Sequence, residues 1–201
     1  PFTFPVKLED SPAYAMGNFP NKAKVQSDLF TDQYRADLGG QAWRRQMLAP
    51  DSEYTEGQYV GYRWYDTKGV TPLFAFRHGL SYVSFKYNGL GTNKSSYRAK
   101  DVIKVSFELT NEGEMAADEV AQLYVRRIGS AVEWPLKELK AFSRVTLNGG
   151  ETKKVTLEIP VSELRYWDVE SNGWQLESGD IELLLGSASD DIRLRKQITI
   201  K

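Results

Sequence analysis

From residue 80 onward, apolar residues recur at every second position in a succession of short runs, and this alternation constrains the fold more than any other feature. In Val102 to Leu109, Val105, Phe107 and Leu109 fall on one side, and Lys154 to Ile159 repeats the pattern. A period of two sends alternate side chains to opposite faces of a strand, one for a core and one for water. Tyr82, Phe85 and Tyr87, then Val120 to Val125, Leu136 to Leu147, Ile181 to Leu185 and Ile192 to Ile200, supply further runs. Turn signals separate them: a turn-rich loop at Gly89 to Ser96, Gly149-Gly150, and Asn172-Gly173, which Tyr166-Trp167 and Trp174-Gln175 flank as a hairpin. Short strands at this spacing predict a β-sandwich of about seven strands, immunoglobulin-like in outline, over residues 80–201.

The chain of 201 residues has room for that sandwich and a substantial appendage. A formal net charge of −1 gives no electrostatic case for nucleic acid or an anionic membrane surface. No apolar run approaches the roughly 18 residues of a membrane span. There are no cysteines, which excludes disulfides and thiolate zinc sites.

The front is irregular. Residues 1–20 hold four prolines, so they form one short edge strand at most, followed by loop. Pro1-Phe2-Thr3-Phe4-Pro5, apolar and extended, reads as the start of a processed chain or of a fragment of something longer. In residues 21–53, Phe30, Tyr34 and Leu38 recur at spacing four, as do Trp43 and Met47. With Ser27 as a cap, Gly39-Gly40 as a break and Pro50 as a stop, two short helices are predicted there. Tyr54 to Tyr82 is dense in aromatics and punctuated by glycines. It reads as an extended strap between domains, with aromatics buried mainly against residues outside the sandwich.

Four stretches together resemble a known family, in its own order: Pro1 to Pro5; EGQYVGYRWYDTKGVTPLFAFRHGLSY (Glu56 to Tyr82); WPLKELKAF (Trp134 to Phe142) with GGETKKVTLEI (Gly149 to Ile159); and GDIELLLGSASDDIRLRKQITI (Gly179 to Ile200). They resemble the C-terminal end of a glycoside hydrolase family 3 enzyme, the β-glucosidase and β-xylosidase group. The resemblance implies the end of an α/β-sandwich domain in residues 1–20, an inter-domain strap at 54–79 and a fibronectin type III-like domain at 80–201; the helical insertion at 21–53 is read from its own spacing, exceeds the family's short connector and matches none of its motifs. Ala75 and Arg77 stand where the family usually has proline and glycine, so the backbone at 77 must suit a residue with a Cβ.

The resemblance also implies retaining hydrolysis of terminal β-linked sugars by two carboxyl groups about 5–5.5 Å apart. The family motifs for both lie upstream of the region that Pro1 resembles, so no catalytic residue is carried over. No cofactor or metal is implied. The implied partners are the N-terminal catalytic domains of the same enzyme and a β-linked oligosaccharide; a homodimer is left open, and a periplasmic or extracellular location is suggested. The candidate substrate contacts are Trp43 and Arg44, with Arg45 beside them: an indole face stacks on a sugar ring and a guanidinium donates to hydroxyls, at the rim of the sugar pocket. Packing of the insertion is the competing role for Trp43.

Four other groups read as structural. The resemblance places His78, the only histidine, in a structural corner. Asp190-Asp191 reads as a solvated turn. Asp168 to Gly173 begins like a calcium loop, but Gly179 stands where a bidentate glutamate is needed. Asn93-Lys94-Ser95 is a glycosylation sequon. The rival to an enzyme portion is a free-standing carbohydrate-binding or adhesion module.

Overall fold

In a computed structural model, which describes residues 2–16 and 55–201, Ile103, Val105, Phe107 and Leu109 of β3 (Val102–Asn111) all face one core and are essentially inaccessible to solvent. The expected alternation is therefore real, and it recurs at Val155, Leu157 and Ile159 of β6 (Thr152–Pro160). Antiparallel pairing with β1 (Phe85–Thr92) on one side and β6 on the other gives a sheet in the order β1-β3-β6. The opposing sheet runs β2 (Ser96–Tyr97), β10 (Ile192–Ile200), β9 (Gly179–Gly186), β4 (Ala117–Arg127), β5 (Glu138–Leu147). Its inward residues include Ala121, Leu123 and Val125 of β4 and Ile181, Leu183 and Leu185 of β9. Each of the larger aliphatic side chains contributes about 1.5–3 kcal/mol by leaving water. A hairpin of β7 (Tyr166–Asp168) and β8 (Gly173–Gln175) belongs to neither sheet.

Two local expectations change. Gly89 to Thr92 is strand rather than loop, because a register shift between Asn88 and Gly91 lets β1 continue pairing with β3. Leu80 and Tyr82 lie outside any strand and project fully into solvent.

The ends of the sandwich are tied by polar groups invisible in the alternation. Asn111, wholly buried, donates from Nδ2 to the carbonyls of Met115 (2.8 Å) and Leu147 (3.2 Å), and its Oδ1 accepts from Gly113 N (2.9 Å). At the other end, the Tyr97 hydroxyl donates to Asn93 Oδ1 at 2.7 Å, which also accepts from Lys104 N at 3.0 Å. The sequon asparagine is thus committed to closing a loop.

Gly149 shows why the Gly149-Gly150 turn cannot be generalised to other small residues. A Cβ there would collide with the backbone carbonyl of Glu114, in the neighbouring turn. Gly149→Ala is expected to cost about 1–3 kcal/mol through backbone displacement, read as a lower urea midpoint with unchanged slope.

Candidate functional site

The strap is not extended throughout. Tyr62–Lys68 forms a helix, here α2, following a short one at the front, α1 (Pro12–Ala15). The segment contains no glycine or proline, the Gly61 carbonyl accepts from Trp64 N at 3.0 Å, and Gly69, at φ 65°, ends it in the left-handed conformation. The aromatic spacing that fails to alternate is a helical one. Tyr62 and Asp66, with Arg63 and Thr67, share one side; Trp64 and Lys68 share another.

The first side docks on the outer face of the five-stranded sheet, along the segment leading into β5. The Tyr62 ring packs edge-on to Tyr124 (5.6 Å between centroids) and against Phe76 (5.2 Å), and its hydroxyl accepts from Leu139 N at 2.8 Å. Asp66 Oδ2 lies 2.6 Å from Lys137 Nζ, Thr67 Oγ1 accepts from Leu136 N at 2.8 Å, and Arg63 pairs with Glu138 at 3.5 Å. Ahead of the helix, the Tyr59 hydroxyl donates to Glu133 Oε1 at 2.7 Å. Tyr124 and Gln122 point outward from β4 yet are buried, because the strap covers them; the Tyr124 hydroxyl donates to Gln122 Oε1 at 2.9 Å. Sequence reading missed this layer, since Val120 to Val125 signals a strand without showing that its second face is also covered.

The electrostatics follow from that burial. Desolvation pushes the Asp66 carboxyl above its usual range, against the opposing pull of Lys137, and Asp190 adds to the rise. Tyr59 is pushed up to about 12 by burial and by Glu133. Behind Lys137, Trp134 lies under the Arg127 guanidinium (4.4 Å) and donates from Nε1 to Glu177 Oε2 at 3.3 Å. Burial alone would raise the Glu177 carboxyl; bonds from Ser130, Ala131 and Trp134 and the charge of Arg127 reverse it and hold it below the usual range.

The second side of α2 turns away from the sandwich. Trp64, 8% exposed, donates from Nε1 to the Asp10 carbonyl at 3.1 Å. Phe4 bridges Phe74, with Phe4 N to Phe74 O and Leu73 N to Phe4 O both at 2.8 Å. The predicted edge strand reduces to this one bridge. Of the strap aromatics, Trp64 therefore lies against residues outside the sandwich, as the sequence suggests, whereas Tyr62 lies against the sandwich itself.

The strap ends at a corner. Arg77 adopts φ 71°, a conformation costly for a residue with a Cβ. Arg77→Gly is expected to be more stable than Arg77→Ala by about 1 kcal/mol, read from thermal melting. His78 is exposed, with its ring 5.2 Å from Phe74. A cleft of about 840 Å³ opens beside the corner, lined in part by Arg77, Ser81, Glu119, Asp191 and Arg193. Asp190 is exposed in its turn, while Asp191 is held by Arg193 and by Ser187, whose hydroxyl donates at 2.6 Å. Asp168 accepts from Ser171 N at 3.0 Å in a local turn. Among the described residues, no cluster of three or more His, Asp or Glu side chains could hold a metal ion. Trp43 and Arg44, and the predicted helices of 21–53, lie outside the described residues.

The geometry of a strap pinned to a sandwich can be compared with known proteins. The family model of the fibronectin type III-like domain matches residues 119–189. Thermostable beta-glucosidase B of Acetivibrio thermocellus is 38% identical over 98% of this chain, which spans 22% of that protein. Beta-glucosidase 3B of Thermotoga neapolitana, solved with α-D-glucose, superimposes at TM-score 0.78 with 32% identity, covering 98% of this chain and 24% of its own. A GH3 beta-glucosidase of Bifidobacterium adolescentis also superimposes at TM-score 0.78, with 28% identity, covering 99% of this chain and 25% of its own. The chain belongs to the C-terminal region of glycoside hydrolase family 3. It spans between a fifth and a quarter of the length of these relatives.

Within this family 3 region the resembling motifs acquire physical roles. In Trp134 to Phe142, Trp134 supports Arg127, Lys137 reaches Asp66, and the Leu136 and Leu139 amides hold the strap by its Thr67 and Tyr62 hydroxyls. Glu56 to Tyr82 carries the matching side chains.

Proposed function

We propose that this chain is the C-terminal stabilising part of a retaining, exo-acting β-glycosidase that removes terminal β-linked sugars, glucose foremost, and that it braces the catalytic domains without contributing a catalytic carboxylate. The observation carrying this reading is the two-sided strap: one helix bonds the sandwich through Tyr62, Asp66 and Thr67 and the preceding segment through Trp64. The relatives' names as beta-glucosidases supply the reaction class. In this reading residues 1–20 end a preceding α/β-sandwich domain, 21–53 are a helical insertion, 54–79 the strap and 80–201 the sandwich. The partners are the catalytic domains of the same enzyme and a β-linked oligosaccharide, with Trp43 and Arg44 at the rim of the sugar pocket.

The test compares Trp64→Ala in the complete enzyme and in a fragment of residues 54–201, which keeps the strap and the sandwich but not the front segment that Trp64 meets. Truncating a packed aromatic costs about 3–5 kcal/mol, so the complete enzyme is expected to melt earlier while the fragment changes little. The isolated chain is expected to release no aryl group from aryl β-glucosides. An unchanged melting curve for Trp64→Ala in the complete enzyme would remove the bracing role. For the rim contact, Trp43→Ala is expected to raise KM for longer oligosaccharides with little change in stability.

A further inference from the structure

Two of the described tryptophans behave differently from the others. Trp64 and Trp134 are largely covered and donate their indole N–H groups inside the protein. Trp167 and Trp174 are 48% and 59% exposed, and among the described residues no protein group accepts from either indole. They stand directly opposite each other on β7 and β8, the hairpin outside both sheets, with centroids 5.6 Å apart and planes at 82°. In such a perpendicular pair, the ring that offers its edge keeps both of its faces free of its partner. The hairpin is anchored: the Tyr166 ring packs edge-on to Trp134 at 5.9 Å, and Leu164, just before it, is buried in the core.

We infer that Trp167 and Trp174 form a stacking platform for a neutral, β-linked glucan chain. An indole face matches the apolar C–H face of an equatorially substituted pyranose, and the perpendicular second ring closes one side of the corner. Hydroxyl partners beside the rings are the indole N–H groups, from which no described residue accepts, and Arg165, whose guanidinium lies 5.8 Å from the Trp174 ring and can donate to a sugar hydroxyl. Asp168 and Gln175, one residue along from the rings, belong to the opposite face of the hairpin. The platform would hold a polymer near the catalytic domains; the choice of β-linked glucose rests on the proposed function.

The probes are laminarin and hydroxyethylcellulose, cast in native gels through which the 201-residue chain migrates, with glycogen as the α-linked control. The chain is expected to be retarded by the β-glucans and not by glycogen. Trp167→Ala and Trp174→Ala should each weaken binding about tenfold, equivalent to 1.4 kcal/mol, and Trp174→Phe should retain most of it. If an alanine variant unfolds, Trp167→Thr and Trp174→Thr, which favour a strand but carry no ring, replace it with the same expected loss of binding. Absence of retardation, equal retardation by glycogen, or retardation unchanged in both alanine variants overturns the platform. A lower melting temperature for the alanine variants without glucan binding by the parent chain means that the pair only closes its hairpin. None of these results bears on the Trp64→Ala test of bracing.

Discussion

Tyr124→Ala is expected to destabilise the chain by about 3–5 kcal/mol, the range for removing a fully buried aromatic. Tyr124 lies at the meeting point of three elements. Its ring meets Tyr62 of the strap, Lys137 Nζ sits 5.7 Å above it, and its hydroxyl donates to Gln122. Truncation opens a cavity beneath α2 and leaves Gln122 short of a partner, so two effects add. Hydrogen exchange separates them: amides of Tyr62 to Lys68 should lose protection, while Val105 to Leu109 follow only the global loss. Tyr124→Phe keeps the ring and removes one hydrogen bond, and should cost about 1 kcal/mol. If Tyr124→Ala leaves strap exchange unchanged, the strap is held by its polar contacts and not by this aromatic layer.

Lys137→Ala is expected to cost about 3 kcal/mol, because it strands the Asp66 carboxylate in a site that already resists charge. Both side chains are largely covered, at 8% for Lys137 and 17% for Asp66. The loss should depend on pH in a stated direction. Asp66 is raised in the folded chain by burial, so its contribution favours folding at low pH and is lost as pH rises through the folded pKa. Without Lys137 the carboxyl rises further, so the variant should lie closest to the parent in acid, below the ordinary aspartate range, and fall behind as pH increases. Denaturant titrations of both proteins at several pH values measure this gap. The pair Asp66→Asn with Lys137→Met, which removes both charges, should recover much of the loss and give a coupling of at least about 1 kcal/mol. A gap that narrows as pH rises would contradict the burial account.

Under the bracing role proposed above, the clamp has a consequence for the complete enzyme. Because one short helix serves both the sandwich and the front segment, weakening either side should loosen the other. Trp64 and Tyr124 variants should therefore couple in the complete enzyme, although the two side chains address different neighbours.

The sandwich was legible in the sequence because its signal is local. Ile103, Val105, Phe107 and Leu109 carry their own instruction, since a period of two in a chain with one watery side admits few other solutions. The Asn172-Gly173 hairpin and the Gly149-Gly150 turn are local in the same way. The clamp was not legible, because its parts are far apart in the chain: Leu139 N and the Tyr62 hydroxyl are separated by 77 residues, and Lys137 and Asp66 by 71. No periodicity links such positions. Irregular aromatic spacing looked extended until the tertiary structure supplied two different surfaces, for Tyr62 and for Trp64, that a single helical turn could satisfy together. Burial on both faces of β4 was hidden for the same reason: Val120 to Val125 signals a strand, and only the docked strap removes solvent from Gln122 and Tyr124. Sequence alone determined the β-sandwich and the family likeness; tertiary structure decided the order of strands in each sheet, what covers the outer sheet and where buried charge is stored, because those depend on which distant surfaces exclude water together.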